Sequence, residues 1–146
     1  DLESSQERLA GCKRAFAEAG ISFDSSLVYK GNYQAGSEEQ ALEYFLGKKV
    51  TAVFVFNDIM AYGLYREARR RNLSIPKDLS VVGFDDVFFS ELIQPALTTV
   101  RQPVAEMGEC AVETLVRLIR EETKPEQSSY VFTPELIVRD SVAPLL

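Results

Sequence analysis

The sequence predicts an α/β fold in which a parallel sheet is flanked by helices. Residues 51–56 and 79–84 are continuously apolar, β-branched and aromatic, the pattern of strands buried on both faces. Around them lie segments with apolar residues at intervals of three and four, the period of a helix with one covered stripe. Strand–helix–strand alternation at this length winds into a parallel sheet, because each helix needs a sheet face to cover.

The elements follow in order. A first helix, capped by Ser4 or Ser5, runs to about Ala19, with Leu9, Cys12, Phe16 and Ala19 on one stripe and Gly20 as its stop. Leu27, Val28 and Tyr29 read as a short strand, and residues 31–36 as a loop. Ser37 and Gln40 have the spacing of a capping box for a helix to about Leu46. After the strand at 51–56, Asp58 caps a helix to about Arg71, and Ile75-Pro76 prevents its continuation. The strand at 79–84 ends in Asp85-Asp86, followed by a short segment to Ile93 and a loop at Pro95. Residues 98–101 form a short strand. Pro103 suits the first turn of a helix that reaches Arg120, striped by Val104, Met107, Gly108, Ala111, Leu115 and Leu118, and Pro125 follows it. Residues 130–138 form the last strand.

Composition narrows the function. The 146 residues are 46% hydrophobic, enough for a packed core without disulfides or metals. Histidine is absent, which removes Ser-His-Asp and Cys-His triads, histidine bases and histidine metal ligands. No glycine-rich nucleotide motif is present. A binding protein is expected rather than an enzyme, with no cofactor and no metal. The formal net charge of −6 repels a phosphate polyanion, so these residues are not expected to hold DNA by themselves. Arg66, Arg69, Arg70 and Arg71 lie near a helix C-terminus, where cations complement the macrodipole, and read as a solvated face. Cys12 and Cys110 sit on apolar stripes as buried packing residues, and two lone thiols fit a reducing compartment. Charges interrupt every apolar run well before the ~18 residues of a membrane span, and no signal peptide opens the chain. With Asp rather than Met at position 1, a piece of a longer protein is expected.

In an open parallel sheet, ligands bind beyond the carboxyl ends of the strands. Two strands end there in polar pairs, Asn57-Asp58 and Asp85-Asp86. Amide and carboxylate groups at a sheet edge suit a neutral polyhydroxyl ligand, since they donate to and accept from hydroxyls without a charged partner. Asp58 is read mainly as the cap of the helix it opens, and Asp85 mainly as a ligand contact, because no following helix clearly needs it.

The ordered stretches Asn57-Asp58-Ile59-Met60-Ala61-Tyr62-Gly63, Ile75-Pro76, Ser80-Val81-Val82-Gly83-Phe84-Asp85, Leu97-Thr98-Thr99-Val100 and Gln102-Pro103 resemble the lactose/galactose repressor family of bacterial transcription regulators. Arg8-Leu9-Ala10-Gly11, Met107-Gly108, Pro134-Glu135-Leu136, Arg139 and Ser141 extend the likeness over essentially the whole chain. The resemblance implies an effector domain of the periplasmic-binding-protein type, two α/β lobes crossed three times by the chain with the ligand between them. A full member also carries a DNA-binding helix-turn-helix and a hinge helix. Residues 1–100 would be most of the C-terminal lobe. Residues 101–127 would be a crossover near Arg101-Gln102-Pro103 and a helix of the missing N-terminal lobe. Residues 128–146 would be a second crossover near Ser128-Ser129, the return strand and the tail.

By matched position the resemblance assigns effector contacts to Arg8, Tyr33, Asn57, Asp85 and Gln102, and leaves Asp58 as a structural cap. Leu2 stands where a purine-binding member has an arginine, which argues against a purine. Val104 stands where a sugar-binding member has an aromatic at the cleft floor. The implied function is binding of a sugar or sugar phosphate effector within a cytoplasmic, sugar-responsive homodimer. Its two-fold interface is expected on the helix at 58–71 and the segment at 87–93, where Val87-Phe88-Phe89 is apolar. Operator DNA would be touched only through the missing head. A stand-alone periplasmic-type sugar-binding protein of the same fold is the first rival reading, and an enzyme of the same α/β class the second.

Overall fold

The computed structural model describes residues 3–31, 36–120 and 129–144. Leu2, Tyr33, Pro125 and Ser128 lie outside the described residues. Four strands form one sheet in sequence order: β1 (Ala52–Phe54), β2 (Ser80–Asp85), β3 (Thr98–Arg101) and β4 (Glu135–Ile137). β1, β2 and β3 are parallel, with Val53 beside Val81 and Gly83 beside Thr99. β4 is antiparallel to β3, with Val100 beside Leu136 and Arg101 beside Glu135. The sheet is therefore mixed rather than wholly parallel. The chain leaves at the carboxyl end of β3 and re-enters beside that same end, which reverses the last strand.

Four helices accompany the sheet: α1 (Glu3–Glu18), α2 (Glu38–Gly47), α3 (Asp58–Arg70) and α4 (Val104–Ile119). The core lies between the sheet and the α2–α3 pair: Leu42 from α2, Ala61, Leu64 and Ala68 from α3, and Val53, Leu79, Val81 and Leu97 from the sheet and its approaches. α2 and α3 approach closely at Gly63, where an added Cβ would stand 2.4 Å from the Glu38 side chain. α1 and α4 carry no buried residue. On α4 the apolar residues Val104, Val112, Leu115, Leu118 and Ile119 are all exposed.

Several local expectations change. α1 starts at Glu3, so Ser4 and Ser5 lie inside the helix and do not cap it; Gly20, at φ +69°, supplies its end. Residues 27–29 are not a strand. The Asp24 carboxylate accepts from the Ser26 amide at 2.8 Å and winds Ser25–Leu27 into a 3₁₀ turn, and Tyr29 packs its ring against Tyr44 and Phe45. The capping box does not form. Ser37 is the N-cap of α2 but its side chain makes no capping bond, and Gln40 accepts from the Tyr29 hydroxyl.

The run at 51–56 contributes only three residues to the sheet, and of these Val53 alone is buried. β1 is one of the two edge strands, helices cover one of its faces, and Phe54 packs edge-on against Phe56. The expected strand at 130–138 narrows to Glu135–Ile137, the stretch that β3 can pair. Cys12 and Cys110 are half-buried rather than buried, and burial pushes the Cys12 thiol up.

Candidate functional site

Because β1, β2 and β3 are parallel, their carboxyl ends share one edge. Phe56-Asn57 follows β1, Asp85 closes β2 and Gln102 follows β3. α1 reaches over this edge with Arg8. One guanidinium nitrogen donates to the Phe56 carbonyl, the other lies 3.7 Å from Asp85 Oδ1, and the plane sits 3.8 Å from the centre of the Phe84 ring. Gln102 Nε2 donates to the same Asp85 oxygen at 2.8 Å. Three of the expected contacts, Arg8, Asp85 and Gln102, thus form one group.

This group is neither sealed nor fully solvated, the Arg8 and Asp85 side chains being 17% and 30% exposed. Burial pushes the Asp85 carboxyl above its ordinary range, and Arg8 and Gln102 partly oppose that. A forked donor, a carboxylate acceptor, an amide and an aromatic face are a set that grips hydroxyls and ring C–H faces. Among these residues no group is built as an activated nucleophile.

The cap expected of Asp58 is supplied by Asn57 instead. Asn57 is the N-cap of α3, its Oδ1 accepting from the Met60 amide at 2.8 Å, while Asp58 is the first helical residue. The reason is backbone direction: Asn57 keeps the extended conformation of the strand end, φ −158° and ψ 161°, which an N-cap needs. Asp58 is instead fully buried. Its Oδ1 accepts from the Thr99 hydroxyl at 2.7 Å, and its Oδ2 from the Ser90 hydroxyl at 2.5 Å and the Val87 amide at 3.1 Å. Gly83 makes the room, since a Cβ there would lie 2.2 Å from Asp58 Oδ1.

The turn that carries Asp85 is held from its other side as well. Asp85 and Asp86 both have left-handed backbones, φ +115° and +53°. The Asp86 carboxylate accepts from Arg101 Nε at 2.6 Å and pairs with Arg139 Nη2 at 2.7 Å. Sequence reasoning named Asp86 only as part of a polar pair and gave no role to Phe84, Ser90, Thr99 or Arg139. The available signal was a pair of threonines inside a strand whose neighbours are apolar, since a hydroxyl buried there needs a partner.

Three of the four arginines in the basic run make ion pairs within the chain. Arg66 lies 3.8 Å from Glu38 and 3.3 Å from Glu67, Arg70 pairs with Glu67 at 3.0 Å, and Arg71 faces Glu43 at 3.8 Å.

This arrangement, with a polar group at the carboxyl edge of the parallel strands, is a periplasmic-binding-protein-like α/β fold. The chain belongs to the periplasmic binding protein-like domain family, which it matches over residues 1–142. Its relatives are transcriptional regulators of the LacI type. It is 37% identical over 142 residues to the HTH-type transcriptional repressor PurR of Vibrio campbellii, an alignment covering 96% of this chain and 42% of the relative. A LacI family transcriptional regulator from Enterococcus faecium, solved with bound ribose, matches with a TM-score of 0.88 and 31% identity, over 95% of this chain and 52% of that one. The transcriptional regulator CelR in its cellobiose complex matches with a TM-score of 0.84 and 35% identity, over 92% and 42%. The chain spans less than half the length of the curated relatives it matches.

Proposed function

We propose that these residues are the effector-binding and dimerising part of a sugar-responsive bacterial transcriptional regulator. The observation that carries the reading is the Arg8–Asp85–Gln102 group at the carboxyl edge of the sheet. Relatives that hold ribose or cellobiose support a saccharide as the ligand class. A sugar phosphate is the charged variant of the same ligand, for which the Arg8 fork is the natural partner. Tyr33 and Asn57 stay in the proposed contact set on matched position alone. Residues 101–127 would give the second lobe one helix; the rest of that lobe, and the head that touches operator DNA, belong to other parts of the regulator.

The protein acts by a population shift, without chemistry on the ligand. An effector that prefers one arrangement of the lobes changes how two DNA-binding heads are spaced in the dimer. A cytoplasmic location follows from that role, and no helix among the described residues is long and apolar enough to cross a membrane. Calorimetry on the full-length regulator with ribose, cellobiose and ribose 5-phosphate tests the reading, followed by an operator gel shift with whichever binds. Binding without turnover, and an altered shift, are expected. A folded protein that binds no saccharide, or that converts one, overturns it.

The dimer is proposed on the face that bears Val87, Phe88, Phe89 and Leu92. Phe88 and Phe89 are 69% and 61% exposed and packed edge-to-face on one another. Apolar surface left in water costs ~25 cal/mol per Å², which favours a second copy as its cover. The full-length protein is expected to sediment as a dimer at micromolar concentration. Changing Phe88→Glu with Phe89→Glu should give a folded monomer, with unchanged circular dichroism. A monomeric wild type would exclude this face as a stable interface.

A further inference from the structure

We infer that Asp58 is a positioning residue for the effector site: it holds the Asp85-Asp86 turn in place from beneath, and ties that turn to the Phe88–Phe89 face. The inference rests on the proposed function for what Asp85 contacts, but the positioning itself is a matter of this chain's own geometry.

Two consecutive non-glycine residues with left-handed backbones persist only where their surroundings over-determine them. Asp85 and Asp86 are such a pair. On the ligand side, Asp85 faces Arg8 and Gln102. On the other side, Asp86 is gripped by Arg101 and Arg139, and Arg139 is itself fixed by donating to the Leu97 carbonyl at 2.8 Å. The next residue, Val87, donates its amide to Asp58.

Asp58 is well placed to serve as the reference point for the turn. It opens α3, and it is anchored to β3 through Thr99. Beyond Val87 it accepts from Ser90, a fully buried hydroxyl that the Tyr62 hydroxyl also meets at 2.6 Å. One carboxylate therefore joins α3, β3, the turn and the 3₁₀ segment Phe88–Glu91. The residue facing the ligand and the two phenylalanines of the proposed dimer face lie on one short stretch of chain, pinned in its middle by Asp58. A displacement of Asp85 is passed along that stretch rather than absorbed by a loose loop.

Thr99 provides the sharpest test. Its hydroxyl donates to Asp58, while its backbone pairs with β2 beside Gly83, so Thr99→Val removes a partner of the carboxylate and leaves the ladder between the strands in place. In the full-length protein, hydrogen exchange of the Val87 amide is expected to speed up about tenfold or more in Thr99→Val. The Val55 and Val81 amides, which donate to the Val82 and Ser141 carbonyls, should change much less. Ser90→Ala should act in the same direction, and Asp58→Asn more strongly. If Asp58→Asn fails to fold, Thr99→Val and Ser90→Ala decide the matter. A Val87 amide that speeds up only in step with the sheet amides, or not at all, would show Asp58 to be an ordinary core residue and overturn the inference.

Calorimetry with ribose and cellobiose on the same variants separates the two readings. A wild type that binds neither of these nor ribose 5-phosphate defeats the sugar reading and leaves the exchange result to judge the positioning. A wild type that binds one of them, with at least a tenfold weaker Kd in Thr99→Val, supports both. An unchanged Kd in a Thr99→Val protein whose Val87 amide has been loosened would overturn the role in the effector site.

Discussion

Gly83→Ala is expected to destabilise the domain by about 3–5 kcal/mol, the sum of overpacking and of a disrupted buried polar network. The added Cβ would stand 2.2 Å from Asp58 Oδ1 and 2.8 Å from Leu97 Cδ2. Neither neighbour can yield at little cost. Leu97 and Asp58 are both fully buried, and moving the carboxylate stretches its bonds to Thr99, Ser90 and Val87 together. Gly108 is the matched control, since a Cβ there meets nothing within 4 Å. It lies inside α4, where alanine is favoured over glycine by up to about 1 kcal/mol. Urea denaturation of the two variants should therefore move the midpoints in opposite directions. A Gly83→Ala protein within about 1 kcal/mol of wild type would mean that the backbone relaxes around Asp58 and that the network is looser than its distances.

The contrast between these glycines shows what the sequence could and could not disclose. The element order around the site was legible because its signals are local: a β-branched run for β2, helical spacing for α3, a proline before α4. The carboxyl edge of the sheet was legible as the place where polar side chains gather, since the parallel order of β1, β2 and β3 follows from strand–helix alternation. The distribution of work between Asn57 and Asp58 was not. Both residues cap helices well, and they differ by one position, so the choice depends on where the strand's backbone ends. The true partners of Asp58 lie far along the chain at Val87, Ser90 and Thr99, which no periodicity connects. Arg8 and Gln102 were found only through the family resemblance, because an arginine on a helix and a glutamine before a proline have no local mark of function. The strand expected at 27–29 failed for the opposite reason. Its composition suits a strand, but a strand also needs a neighbour to pair with, and Asp24 offers the chain a local turn instead.

Asp85→Asn is expected to separate binding from stability. Losing a charge-assisted hydrogen bond costs about 1.5–3 kcal/mol, so under the proposed function the affinity of the full-length protein for a saccharide effector should fall about 10- to 150-fold. Stability should move the other way. Burial pushes the Asp85 carboxyl above its ordinary range, against the opposing pull of Arg8 and Gln102. The folded state therefore keeps this proton to a higher pH than the unfolded chain does. From about pH 4, where an unfolded aspartate ionises, up to the raised folded value, the folded state binds more protons. Across that window wild-type stability falls as pH rises, and above it the cost of the buried charge is present in full. Asparagine keeps the side chain's size and can still accept from Gln102, but it has no charge to bury. The urea midpoint of Asp85→Asn relative to wild type should thus rise with pH through the window and stay level beyond it. Arg8 keeps its bond to the Phe56 carbonyl and its seat on the Phe84 ring in either protein. A variant that binds as tightly as wild type would remove Asp85 from the effector site. A variant whose relative stability falls with pH would show that the pairing with Arg8 outweighs the burial of the carboxylate.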